Sequence, residues 1–163
     1  MAMRQAPTAA SDLARVAELL GRAPRGRFAV VVRDDSGDPI VIRNDPLLLD
    51  GTPMPTRYWL VGAREVRAVS RLEAGGGVRA AEAGIDPATL ARAHRRYAQE
   101  RDASLPPSFA GPRPSGGVGG TRAGVKCLHA HYAWLLAGGD DPVGRWAAEH
   151  LEIEGVSPSL GTA

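Results

Sequence analysis

From Ala123 to Ala137 the chain reads AGVKCLHAHYAWLLA, a segment that is apolar almost all round a helical wheel. Leu128, Tyr132, Ala133, Leu135 and Leu136 spread over its whole circumference, and Gly138-Gly139 provides the stop. A helix without a wet face has to be enclosed by other elements, so the rest of the chain must supply layers on several sides of it. With 163 residues the chain is long enough to bury roughly 70% of its unfolded surface in one domain. Aromatic residues are only 5% of the chain, so Ala, Val and Leu must fill most of the core.

The enclosing elements can be read in order. Residues 1–10 read as a disordered lead-in. Ser11 offers an N-cap for a helix over Asp12–Leu20, where Leu13, Val16, Ala17 and Leu20 recur at helical spacing. Arg27–Arg33 is β-branched and bounded by turn residues, and Ile40–Arg43 returns after Asp34–Pro39, which predicts a hairpin. A Pro-punctuated loop is expected over Asn44–Pro55, then a third strand over Arg57–Val61. A helix from Ala63 ends at Gly75-Gly76-Gly77. Asp86 caps a further helix with Pro87 at its first position, reaching about Arg101. Residues 104–120 form a long loop rich in Pro and Gly, which predicts mobility or function. Pro142 opens a last helix to about Leu151, and 152–163 read as a flexible tail. The expectation is one α+β domain over 11–151: an antiparallel sheet of about three strands packed by four to five helices, with the 123–137 helix central.

The central helix also carries the chemistry. It holds the chain's one cysteine, Cys127, its one lysine, Lys126, and two of its four histidines, His129 and His131. At about 100° per residue, Cys127 and His131 fall on one face, while His129 points nearly opposite and sides with Lys126. Cys127 and His131 are therefore the expected pair of ligands for zinc or another metal, although a structural zinc normally takes four and two more are not evident. Upstream, Gly117, Gly119 and Gly120 can turn backbone N–H groups toward an anion, with Arg122 and Lys126 supplying charge. The dipole at the helix start, with Lys126 and Arg122, would lower the thiol pKa of Cys127. That makes Cys127, His129 and His131 the candidate reactive groups. Arg57, beside Tyr58 and Trp59, is a further candidate for the edge of a ligand site.

Several classes are disfavoured. The loop does not match a phosphate loop, because Val125 separates Gly124 from Lys126 and Cys127 stands where a hydroxyl residue is required. Nineteen of the twenty basic residues are Arg, but the formal charge is only +2 and the one dense group, Arg92 to Arg101, is flanked by acids, so nucleic acid is not indicated as a partner. Arg92, His94, Arg95 and Arg96 read as the wet face of a helix, and Asp45 and Asp50 as solvated loop carboxylates. One cysteine allows no internal disulfide, and no signal segment or bilayer-length apolar run appears, which points to a cytoplasmic protein without membrane insertion.

Asp38-Pro-Ile-Val-Ile42, Asp50-Gly-Thr-Pro-Met-Pro-Thr56, Tyr58-Trp-Leu60, Ser70-Arg-Leu-Glu73, Gly117-Val-Gly119, Val125-Lys-Cys-Leu-His-Ala-His-Tyr132, Leu136–Gly139 and Pro142-Val-Gly144 occur in that order. In these segments the chain resembles the bacterial domain-of-unknown-function family 501 over roughly residues 12–147. The resemblance implies a small cytoplasmic α+β protein and brings no activity with it. It also implies that relatives carry cysteines where this chain has Asp34 and Gly62, and a histidine in place of Trp134, which removes possible ligands here. Three functional expectations follow. The first is a small-anion or phosphometabolite site around Lys126-Cys127. The second is a non-enzymatic module that contacts a protein partner in division or envelope regulation. The third is a Cys/His metal-binding protein.

Overall fold

The computed structural model describes residues 9–151, so residues 1–8 of the lead-in expected over 1–10 and the tail expected over 152–163 lie outside the described residues, while Ala10 already opens the first helix. The elements are α1 (Ala10–Leu20), β1 (Gly26–Arg33), β2 (Pro39–Leu48), β3 (Tyr58–Leu60), α2 (Ala63–Ala74), α3 (Gly77–Gly84), α4 (Pro87–Asp102), a 3₁₀ turn (Val118–Gly120), α5 (Leu128–Leu136) and α6 (Pro142–His150). This is the expected α+β class, with a three-stranded antiparallel sheet in the order β1-β2-β3 and six α-helices among the described residues. The helix not foreseen is α3, which follows the glycine break directly and buries Ala81 and Gly77.

The sheet is covered on both faces, and alternation along its strands shows how. In β2, Val41 points into the larger core with Tyr58, Leu60, Leu128 and Ala133, whereas the next residue, Ile42, packs with Val16, Phe28 and Val61 under α1. The register matches Ile42 to Val30 and Trp59, and Val41 to Leu60, so each layer is continuous across the three strands. The strand runs to Leu48, five residues beyond the expected end at Arg43, because Asn44 and its neighbours keep pairing through Phe28↔Asn44 and Gly26↔Leu48. Asp45 thus belongs to a strand and not to a loop.

The central helix is as enclosed as its apolar circumference requires. Leu128, Ala133 and His131 have no exposed surface, and each fully buried large aliphatic side chain such as Leu128 is worth about 2–3 kcal/mol. Its C-terminus closes as expected: Gly138 adopts φ +96° and donates to the Leu135 carbonyl, while Gly139 N–H donates to Trp134 O. Its N-terminus differs from expectation. The helix starts at Leu128, not near Ala123, since Cys127 is extended (φ −154°, ψ 151°) and forms the N-cap. Similarly, Ala9 and not Ser11 caps α1.

The long 104–120 segment is fastened to the body. The Arg101 guanidinium, 1% exposed, donates to the carbonyls of Pro55 (3.1 Å) and Gly116 (2.9 Å), with longer approaches to Ser115 and Pro114 at 3.4 Å.

Candidate functional site

Starting α5 at Leu128 changes which groups meet. The first helical N–H, from Leu128, is satisfied by Glu73 Oε1 at 2.6 Å, a carboxylate delivered from the last turn of α2. The same oxygen lies 3.1 Å from His129 Nδ1, and His129 Nε2 lies 3.2 Å from Ser70 Oγ, one turn earlier on α2. Cys127, just outside the helix, turns its thiol to this group. Glu73, Cys127 and His129 each offer one ligand atom, and the three atoms lie within 4.8 Å of one another. The acid therefore occupies the electropositive helix end itself.

His131 goes elsewhere. It is fully buried, with Nδ1 2.6 Å from Asp141 Oδ2, and its Nε2 is buried without a partner. Among the described residues no group of three potential ligands includes it. The expected pairing of Cys127 with His131 assumed that both lie on one helix; an extended Cys127 breaks the 100° phase, and His129 takes the neighbouring place.

The glycine loop is likewise committed to the protein's own structure. Gly117 N–H donates to Thr121 O, Val118 N–H to His94 Nδ1 and Gly120 N–H to Gly117 O. Gly117 is needed for close approach, because a Cβ there would fall 2.5 Å from the His94 side chain. Gly119 faces Lys126, and both line a cleft of about 220 Å³ with Cys127, His129, Tyr58 and Trp59. Lys126 and Arg122 are exposed. Arg57 is buried, its Nε 3.4 Å from Glu100 Oε1; Tyr58 OH and Trp134 Nε1–H also donate to Glu100, so Arg57 belongs to a structural network under the sheet edge.

Burial pushes the Cys127 thiol above its ordinary value, with the Glu73 charge acting in the same direction and the backbone N–H groups of Ala130 and His129, and more weakly the Lys126 charge, opposing it. This reverses the expectation of a lowered pKa: loss of solvation outweighs the helix end, where Glu73 already sits. At neutral pH the thiol is protonated unless something at the site replaces its proton.

The family model described as "Protein of unknown function (DUF501)" matches residues 30–149. The chain belongs to the DUF501 family. No curated protein and no solved structure matches it. In this DUF501 chain the Ser70–Glu73 and Val125–Tyr132 segments, far apart in sequence, meet at one spot: Ser70 and Glu73 bracket His129, and Cys127 completes the group. Sequence reasoning named Cys127 and His129 but assigned no chemistry to Glu73 or Ser70. The available signal was their i, i+3 spacing, which puts both side chains on one face of a helix.

His94, expected on a wet helix face, is 5% exposed. Its Nδ1 accepts from Val118 N–H, so Nε2 carries the proton and donates to Gly124 O at 2.9 Å. Burial lowers its pKa against the opposing hydrogen bond to Gly124 O, with smaller contributions from His131 in the same direction and from Asp141 in the other. The unfolded chain then takes up a proton, near pH 6.5, that the folded chain refuses, and stability falls as pH drops below that value. The slope from this one group is at most about 1.4 kcal/mol per pH unit, the value for one whole proton. Urea denaturation between pH 8 and 5 measures it, and His94→Asn, whose Oδ1 stands where Nδ1 does and can still accept from Val118, should flatten the dependence. An unchanged slope in that variant would assign the acid sensitivity to another group.

Proposed function

We propose that this protein binds a divalent transition-metal ion, zinc foremost, through Glu73, Cys127 and His129, with the remaining coordination position facing the cleft where Lys126 can receive a small anionic ligand. The observation that carries the reading is the gathering of one carboxylate, one thiol and one imidazole within 4.8 Å. A tetrahedral zinc ion with bonds of about 2.0–2.3 Å needs donors roughly 3.4–3.6 Å apart, so small side-chain adjustments suffice. The mixed donor set suits zinc or a similar borderline ion. Three protein ligands with an open position are the pattern of sites that bind or activate a ligand. Ser70 supports the same reading, since an Nε2–H donated to its Oγ leaves Nδ1 free to coordinate.

The raised thiol pKa fits as well: the metal would supply the positive charge that stabilises the thiolate, and binding would release the Cys127 proton. The cleft-lining positions of Cys127 and His129 favour a ligand site over a protein-contact module in which these groups would be sealed core.

Protein stripped with a chelator and reloaded with cobalt(II) should show thiolate-to-metal charge-transfer absorption and bind close to one ion per chain. Cys127→Ser should abolish that absorption, and Cys127→Ser or His129→Ala should weaken zinc binding by about 100-fold or more, with Ser70→Ala costing about tenfold. Affinity should rise with pH as the thiol proton becomes easier to displace. Less than about 0.1 metal per chain after reloading, or a cobalt spectrum indifferent to Cys127→Ser, would remove the reading.

A further inference from the structure

A second concavity, of about 320 Å³, lies beyond Trp59 from the Cys127 cleft and shares only that side chain with it. It sits where the chain leaves α1 and enters β1, against the middle of β2. Its volume falls at the lower end of the roughly 300–1,000 Å³ typical of small-molecule sites. One wall is apolar, made by Trp59, Leu48, Met54 and Pro24. The other is cationic: Arg22, Arg25 and Arg27 come from one six-residue stretch and converge on the same hollow.

The charges there are incompletely answered. Arg22 places its guanidinium over the Trp59 ring, 5.3 Å from the centroid, a contact to an aromatic face and not to a carboxylate. Arg25 has only a long, exposed approach of 3.9 Å to Asp50. Asp45 is the one carboxylate in the lining, and burial pushes it above the usual carboxylate range although Arg27, Arg57 and Arg43 pull it down. Asn44, 6% exposed, adds a fixed polar group to the floor, its amide held by Thr56 O at 3.0 Å. Three forked guanidinium donors against a flat aromatic wall match the shape of a phosphate ester attached to a ring.

We infer that this hollow is a binding site for a small phosphorylated, ring-bearing molecule of mononucleotide size, with the phosphate held by Arg22, Arg25 and Arg27 and the ring against Trp59. The inference is independent of the metal reading, because Glu73, Cys127, His129 and Lys126 lie outside this lining.

AMP, adenosine and inorganic phosphate serve as probes, with binding followed calorimetrically at low and physiological salt. AMP should bind saturably, adenosine and phosphate each more weakly, and raised salt should weaken AMP binding as screening predicts. The triple variant Arg22→Gln, Arg25→Gln, Arg27→Gln changes only exposed side chains and should keep the parent melting temperature while weakening AMP binding by about tenfold or more. Trp59→Leu should remove the advantage of AMP over inorganic phosphate, and Lys126→Gln should change nothing. Absence of saturable AMP binding at millimolar concentration, AMP binding untouched by the triple variant, or adenosine binding as tightly as AMP would each overturn the inference.

Discussion

Arg101→Ala is expected to lose about 3–5 kcal/mol of folding stability, a fifth or more of the roughly 5–15 kcal/mol a domain normally has. The guanidinium is enclosed, pairs through Nε with Asp102 Oδ1 at 2.8 Å, and gathers carbonyls from Pro55 and from the 114–116 segment. Truncation leaves a cavity where the long side chain packed and strips those carbonyls of their donor, and each unsatisfied buried acceptor costs about 1–3 kcal/mol. Arg101→Lys keeps the charge but not the planar fork, so it should recover only part of the loss. Urea denaturation reads the change. Hydrogen exchange should show the 111–117 backbone opening well before global unfolding in the alanine variant. A loss under about 1 kcal/mol would mean that the loop holds itself in place without Arg101.

The second large effect is expected at Asp141, whose side chain has no solvent exposure. One oxygen receives the Val143 N–H at 3.0 Å and so caps α6; the other holds His131 Nδ1 at 2.6 Å. Asp141→Ala removes both at once and leaves His131 buried with two unpartnered nitrogens, for an expected cost of about 3–5 kcal/mol. Asp141→Asn retains the cap and a neutral partner and should cost clearly less. In the double variant Asp141→Ala, His131→Leu, the penalty for stranding the imidazole disappears, so the two changes should be less than additive by about 1–2 kcal/mol. Strict additivity would show that the pair contributes no coupling and that the capping bond alone carries the effect. Neither variant should alter metal binding at Cys127, since His131 and Asp141 are not part of the Glu73–Cys127–His129 group.

Much of the architecture was legible because the signals behind it are local. The hairpin over Arg27–Arg43 followed from β-branched runs around Asp34–Pro39, and the structure places both strands there. Asp86 caps α4 through Thr89 N–H at 2.9 Å with Pro87 behind it, as that pair of residues implied. The Gly138-Gly139 stop and the full enclosure of the following face of α5 were equally visible. Two of the errors arose where a partner lies outside the local run of residues. The start of α5 slipped by five residues, and β2 continued past Asn44 because β1 remained available to pair with it.

For the candidate site the division is sharper. By itself the sequence determined that a buried helix lies within 123–137, that Cys127, Lys126 and His129 stand near its start, and that glycines surround them. These are matters of period, composition and allowed backbone geometry within a few residues. Only the tertiary structure decided that Glu73, 55 residues before Leu128, would cap that helix, that Ser70 would hold the far nitrogen of His129, and that His131 would turn inward to Asp141. The reason is physical: a helix end states a need for hydrogen-bond acceptors, but any segment folded against it can meet that need. Which carboxylate arrives is set by the packing of α2 on α5, and that choice converts an expected Cys127–His131 pair into a Glu73–Cys127–His129 cluster.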